Sequence, residues 1–174
     1  LNRTLKIIAG LLTPGGVTVC AVIVAGTFNE LHSSRLEAAP AKPPRRPLPS
    51  VSEVEDAWLQ ADFEQITSIP LTYLNLFSDP CGMIEYTRAL GLTGGDLSCS
   101  HSPLSRSELR TLVDTYRRRF NTDTAEFREL SRSFEVFQEP DEIPRSRFRK
   151  IAAEGAIPVY ATTNAALITA GKPA

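Results

Sequence analysis

The chain has 174 residues, 13 of them proline, and a net charge of only −1. Residues 50–100 carry eight acidic side chains and a single basic one. A nucleic-acid-binding surface needs a basic face, so this distribution argues against nucleic acid as a partner.

The first long feature is an uncharged run from Ile7 to Asn29, bounded by Lys6 and Glu30. About 20 apolar helical residues cross a bilayer core of about 30 Å, so the run predicts one transmembrane helix. The alternatives are an uncleaved signal peptide, whose apolar core is normally about 7–15 residues, and a buried core helix. We therefore expect an integral, single-pass membrane protein with its anchor in residues 1–32.

Small residues and a proline interrupt this predicted helix. Proline frees a backbone carbonyl in hydrocarbon, and small side chains let a neighbouring helix approach closely. The residues expected to pack against other membrane helices are Pro14, Gly15, Gly16, Cys20, Ala21 and Ala25. Such residues are also common in membrane helices generally, so simple composition is an equally good explanation.

A proline-rich segment follows at residues 33–50, with five prolines and no apolar periodicity. This composition predicts an extended linker, or a strap laid across a partner. Basic residues flank both ends of the predicted anchor, and their count weakly places the remaining domain on the cytoplasmic or matrix side. A disulfide in that domain would place it on the opposite side, so its sidedness stays open.

A small helical domain is predicted for residues 51–156. Ser52 and Glu55 have the spacing of a capping box, and apolar residues at helical intervals follow them up to Ile66. After Pro70, residues 71–80 fit either a helical turn or a buried strand. A short helix is expected to begin at Pro80.

Two further helices are predicted in the second half of this domain. Ser105 and Glu108 form another capping box ahead of an amphipathic stripe, and Asp123 restarts the helix after a break. So short a connection favours an αα-hairpin, with one bent helix as the alternative. A last short helix is expected over residues 145–154, ended by Gly155.

Two clusters in this domain are candidates for specific contacts. Cys81 and Cys99 are candidates for a disulfide, although two free thiols explain them equally well. Arg117, Arg118 and Arg119 lie near a predicted helix C-terminus, where cations favour the helix dipole. They are candidates for contact with lipid headgroups or with an acidic partner, and a solvated helix end is the simpler alternative.

The tail, residues 157–174, is uncharged except for Lys172 and predicts at most a weak helix. It is too short and too rich in threonine to cross a membrane. We expect it to lie against a partner protein, the alternative being a tail folded onto its own domain.

Catalytic patterns are absent from the sequence. The chain has two histidines, His32 and His101, and no zinc-protease, nucleotide-binding, haem-attachment or nucleophile–base motif. We therefore predict no catalytic residues, no bound metal and no cofactor. A catalytic role for the neighbouring Asp96, Cys99 and His101 is the one alternative of that class.

These observations lead to a mainly α-helical protein with one N-terminal transmembrane helix, a proline-rich tether and a small helical domain. We expect a non-catalytic accessory or structural subunit of a multi-subunit membrane complex, with the lipid bilayer and other membrane subunits as partners and no small-molecule substrate. The missing initiator Met favours a processed organellar protein, such as a mitochondrial inner-membrane subunit of a respiratory complex or ATP synthase. The alternative is a bacterial inner-membrane-anchored envelope protein with a periplasmic domain.

Overall fold

A computed structural model describes residues 1–42, 47–89, 102–138 and 158–173. The described elements in chain order are α1 (Asn2–Leu11), β1 (Val17–Ile23), α2 (Asn29–Ala38), α3 (Val51–Leu59), β2 (Glu64–Phe77), α4 (Pro80–Ala89), α5 (Arg106–Arg119), α6 (Ala125–Ser133), β3 (Glu135–Gln138) and β4 (Val159–Gly171). The described strands form one sheet in the order β1-β4-β2-β3.

The chain divides into two compact units. Unit 1 comprises Leu1–Thr27, Pro47–Thr72 and Asn164–Ala174, and unit 2 comprises Phe28–Arg46 and Tyr73–Thr163. Both long strands, β2 and β4, contribute residues to each unit. Within unit 1, strand pairing joins the beginning of the chain to its end.

Unit 1 is built on the antiparallel pairing of β1 with the second half of β4. Val17 lies opposite Gly171 and Ile23 lies opposite Ala165, which defines the register between them. Helices α1 and α3 pack together. A core that includes Trp58, Phe63 and Ile168 joins these elements.

The predicted membrane anchor is wrong. Residues 2–11 form a short helix, Pro14, Gly15 and Gly16 lie in the turn that follows, and residues 17–23 form a strand. Within the described parts of the chain, no helix has the length and apolar content needed to cross a bilayer. The physical reason is that proline and adjacent glycines end the helix, and alternating β-branched residues then favour a strand.

Unit 2 contains helices α2, α4, α5 and α6. Residues Tyr73–Leu76 of β2 pair in parallel with Glu135–Gln138 of β3. Helix α2 packs along α5. A core that includes Leu74, Tyr116 and Tyr160 fills this unit.

The mainly helical fold class is also wrong, because the described chain is a mixed α/β structure. Residues 159–171 form a strand where a weak helical tail was expected, and residues 64–77 form the longest described strand. Residues 33–38, expected in an extended tether, lie in α2. The helix predicted for residues 145–154 lies outside the described residues.

Capping boxes mark the start of two helices. Ser105 and Glu108 cap α5 as expected. The box of α3 is formed by Ser50 and Glu53, two residues earlier than predicted. The helix predicted to continue to Ile66 ends at Leu59, because residues from Glu64 onward join the sheet.

Candidate functional site

One face of the unit 1 sheet is exposed and apolar. The side chains of Val17 and Val19 are 63% and 62% exposed, and that of Ile23 is 37% exposed. Ala21 is also exposed, so the exposed positions of β1 are every second residue. Because paired residues point to the same side of an antiparallel sheet, Ala165, Leu167 and Thr169 of β4 share this side. We call this surface, made of Val17, Val19, Ala21, Ile23, Ala165, Leu167 and Thr169, the open face.

The opposite face of the same strands is covered. Ala166, Ile168 and Ala170 of β4 are fully buried in the core of unit 1. Cys20 and Val22 of β1 pack against that core. The sheet of unit 1 therefore has one face under helices and one face of apolar side chains in contact with solvent.

In unit 1, strand β2 also has one side that faces the helices and one side that faces away from them. Ile66 packs against the core, and the Ser68 hydroxyl donates a hydrogen bond to Glu55 of α3. Ile69 is exposed, so it points away from the helices. Thr67 is exposed on the same side as Ile69, so the uncovered side of β2 is partly polar.

The backbone of β1 has an unpaired edge. In the sheet formed by the described strands, β1 is terminal and has β4 as its one neighbour. Lys172 N donates to the carbonyl of Gly16 at 2.8 Å, and Val24 N donates to the carbonyl of Asn164 at 3.0 Å. The even-numbered residues of β1 therefore direct their backbone N–H and C=O groups towards β4. The odd-numbered residues of β1 direct theirs towards the outer edge of the sheet.

The sequence-predicted packing residues lie in or next to this strand, in a different setting from the one expected. Pro14, Gly15 and Gly16 form the turn before β1, where Gly15 adopts a φ of 72° that favours glycine. Cys20 and Ala21 lie within β1, and Ala25 follows its end. No described helix contains any of these six residues, so they do not form the helix-packing stripe that was predicted.

The arginine run has an acidic partner within unit 2. Arg118 and Arg119 form ion pairs with the two carboxylate oxygens of Glu37 on α2, at 2.9 and 3.3 Å. Arg117 lies 3.8 Å from Asp114 on its own helix. These partly exposed pairs join α2 to α5, and each contributes little to stability in water. Contact of the run with lipid or with an external acidic partner is not needed to explain its position.

A buried carboxyl joins two elements of unit 2. Glu30, in the first turn of α2, accepts hydrogen bonds from the backbone N–H and the hydroxyl of Thr162. Burial raises the pKa of Glu30, although the bonds from Thr162 partly oppose that shift. Both carboxylate oxygens are therefore held by one strand residue, an arrangement that ties α2 to β4 within unit 2.

Two buried tyrosines lie in the same core. The Tyr116 hydroxyl donates a 2.7 Å hydrogen bond to the carbonyl of Tyr160. Burial raises the pKa of both phenols, with the negative charge of Glu30 adding to the shift. Both groups therefore remain neutral and serve the packing of α5 against β4.

The predicted disulfide involves one residue that the structure describes. Cys81 is buried near the start of α4, and burial, together with Asp79, raises the pKa of its thiol. Cys99 lies outside the described residues, as do Asp96 and His101, so the disulfide and the alternative catalytic cluster stay predictions. Within the described ranges, no group of three or more His, Cys, Asp or Glu side chains is arranged to hold a metal ion.

Comparisons with known proteins assign no family. No family model matches the chain. No curated protein matches it either.

Solved structures give distant matches. A candidate methyltransferase from Bacillus halodurans aligns with a TM-score of 0.43 and 11% identity, over 99% of this chain and 63% of that one. A phosphoethanolamine N-methyltransferase 2 of Haemonchus contortus, in complex with phosphomonomethylethanolamine and S-adenosylhomocysteine, aligns with a TM-score of 0.38 and 12% identity. The alignment covers 99% of this chain and 30% of the Haemonchus protein, so the chain spans less than two thirds of either neighbour.

These findings correct the functional predictions made from the sequence. The membrane subunit, its mitochondrial or bacterial inner-membrane location and its lipid and membrane partners are wrong, since the supposed anchor is a helix, a turn and a strand. The predictions of a non-catalytic subunit without a small-molecule substrate rested on that anchor and fall with it. The two neighbours are themselves methyltransferases, and one of them is bound to small molecules. With TM-scores below 0.5, however, the likeness assigns no activity to this chain.

Sequence reasoning missed the open face because it placed β1 in a helix. A usable signal was present. Val17, Val19, Ala21 and Ile23 alternate with Thr18, Cys20 and Val22, and the β-branched members favour a strand. The alternation is hidden by the apolar character of both sides, which made the length of the uncharged run the dominant feature.

Proposed function

We propose that the chain is a self-associating protein module that docks onto a second copy of itself through the open face and the adjoining edge of β1. The observation that carries the proposal is a strand whose apolar side chains are exposed and whose outer edge pairs with no described strand. Contiguous exposed apolar surface on a protein is a common mark of an interaction site.

Charge supports a second copy as the occupant. No charged side chain lies between Lys6 and Glu30, and the β4 residues of the open face are also uncharged. Two copies therefore meet here without like-charge repulsion, which opposes the close approach of most identical surfaces. A two-fold interface also requires a patch that complements itself, and an uncharged apolar stripe meets that requirement.

The strand lacks the usual protection against pairing. Native edge strands commonly carry lysine, proline or an inward-pointing charge, which prevent the addition of another strand. Residues 17–23 contain none of these. The turn containing Pro14 lies before the strand, so this proline does not interrupt residues 17–23.

The test is the association state of the purified chain, measured by sedimentation velocity over a range of concentrations. We expect the wild type to form dimers that dissociate on dilution. Val19→Lys places a charge at the centre of the open face and should leave a monomer at concentrations where the wild type is dimeric. Val19 is 62% exposed, and beside a second β1 strand it gains one cross-strand side-chain contact on the open face, which contributes roughly 0.2–1 kcal/mol per copy.

Because both copies lose this contact, the variant should weaken dimerisation by roughly 2- to 30-fold, using about 1.4 kcal/mol per tenfold change. The matched control is Leu59→Lys, which introduces the same charge at a leucine that is 59% exposed on α3. That control should dimerise as the wild type does, and Trp58 fluorescence should show that both variants are folded. A monomeric wild type, or equal effects of the two lysines, would refute the proposal.

A further inference from the structure

We infer that the two copies pair their β1 strands antiparallel, edge to edge, with Cys20 at the two-fold axis. This inference rests on the proposed self-association and specifies its geometry. The competing geometry stacks the two open faces without joining the sheets, as in a β-sandwich.

The direction of the backbone groups defines which residues can pair. The bonds from Val24 N to Asn164 O and from Lys172 N to Gly16 O assign even-numbered residues to the β4 side. Val17, Val19, Ala21 and Ile23 therefore present their N–H and C=O groups at the outer edge. These four residues also carry the exposed side chains of β1, so backbone and side-chain contacts would form together.

One register uses all four of these residues. With Cys20 at the axis, Val17 pairs with Ile23 of the second copy, and Val19 pairs with Ala21. An axis at Val19 or at Ala21 leaves one of the four opposite a residue outside the strand, at position 15 or 25 respectively. The register centred on Cys20 therefore forms more ladder hydrogen bonds than either neighbouring register. It also continues the apolar stripe across the dimer, where cross-strand pairs of β-branched residues stabilise a sheet.

The register makes Cys20 a geometric reporter. Because its backbone groups point to β4, Cys20 and its copy form a non-hydrogen-bonded pair, in which the Cα atoms lie about 4.5 Å apart. Disulfides form between cysteines whose Cα atoms are about 4.4–6.8 Å apart, so the two thiols lie within bonding range. Cys20 is half-buried and carries a free thiol in the isolated chain.

The experiment is oxidation of the full chain by copper(II)–phenanthroline at a concentration where sedimentation shows dimers. Non-reducing electrophoresis and peptide mass spectrometry then identify the linked residues. We expect rapid formation of a covalent dimer joined at Cys20. Cys20→Ser should abolish that dimer, and Val19→Lys should slow its formation roughly 2- to 30-fold because it weakens the non-covalent dimer.

A register control moves the thiol by two residues. In the double variant Thr18→Cys, Cys20→Ser, the new thiol faces the same side of the strand but lies opposite Val22 of the second copy, so cross-linking should be lost. Equal cross-linking through positions 18 and 20 would refute the register. Dimers by sedimentation without a link at Cys20 would refute edge pairing and leave self-association standing, whereas a monomeric wild type would refute both.

Discussion

The turn that joins β1 to the rest of unit 1 depends on a glycine that has no room for a side chain. Gly26 has a φ of 92°, and a Cβ built there would lie 2.4 Å from the side-chain nitrogen of Asn164. The Asn164 amide accepts a 2.9 Å hydrogen bond from the Thr72 hydroxyl and donates a 3.4 Å bond to the carbonyl of Ala25. A methyl group at position 26 therefore displaces an amide that joins β2, β4 and this turn.

We expect Gly26→Ala to destabilise unit 1 by about 2–5 kcal/mol. The left-handed backbone costs a residue with a Cβ about 1–2 kcal/mol. Each hydrogen bond lost by the displaced amide costs about 0.5–1.5 kcal/mol more. Urea unfolding followed by the fluorescence of Trp58, the single tryptophan, reports on this unit because Trp58 is buried in its core.

A matched control and a double variant separate the two contributions. Gly15→Ala, at a φ of 72° with nothing within 4 Å of the added Cβ, should cost about 1–2 kcal/mol, the backbone contribution alone. In an Asn164→Ala background, Gly26→Ala should also cost only about 1–2 kcal/mol, giving a coupling of about 1–3 kcal/mol between the two positions. Additive effects of the two substitutions would refute the assigned contact.

Two further predictions concern unit 2. Tyr116→Phe removes the hydroxyl that donates to the buried carbonyl of Tyr160, and it should lower the free energy of unfolding by about 1–3 kcal/mol, measured by urea titration with circular dichroism. The control Tyr86→Phe, at a half-buried site, should change the free energy of unfolding by less than about 0.5 kcal/mol. Equal losses from the two variants would contradict a stabilising role for the Tyr116 hydrogen bond. Burial raises the pKa of Glu30, so the folded state binds the proton of this carboxyl group more tightly than the unfolded state does. The contribution of Glu30 to the free energy of unfolding therefore falls as the pH rises from 4.5 through the raised pKa. Glu30→Gln should remove that part of the pH dependence in urea titrations at several pH values, and an unchanged slope would show that Glu30 is not its source.

Local signals in the sequence identified the start of α5 and came within two residues of the start of α3. Ser105 and Glu108 lie three residues apart and satisfy one another's backbone donors, so the cap of α5 depends on no distant residue. At α3 the sequence offers two overlapping boxes, one starting at Ser50 and one at Ser52. The local rule does not choose between them, and the helix starts after Ser50, with Val54 and Trp58 buried in the core.

The strands required information that lies far away in the chain. Residues 17–23 and 159–171 read as a membrane helix and a weak helical tail, and they become strands because residues 17–23 pair with residues 165–171. The open face could not be predicted either, because its position at a sheet edge depends on the strand order. Composition and short-range spacing thus determined the charge distribution, the capped helices and the apolar segments of this protein. Tertiary structure decided which apolar segments became strands and which of their faces stayed uncovered, because the hydrogen bonds of a strand are made by a partner and those of a helix by its own neighbours.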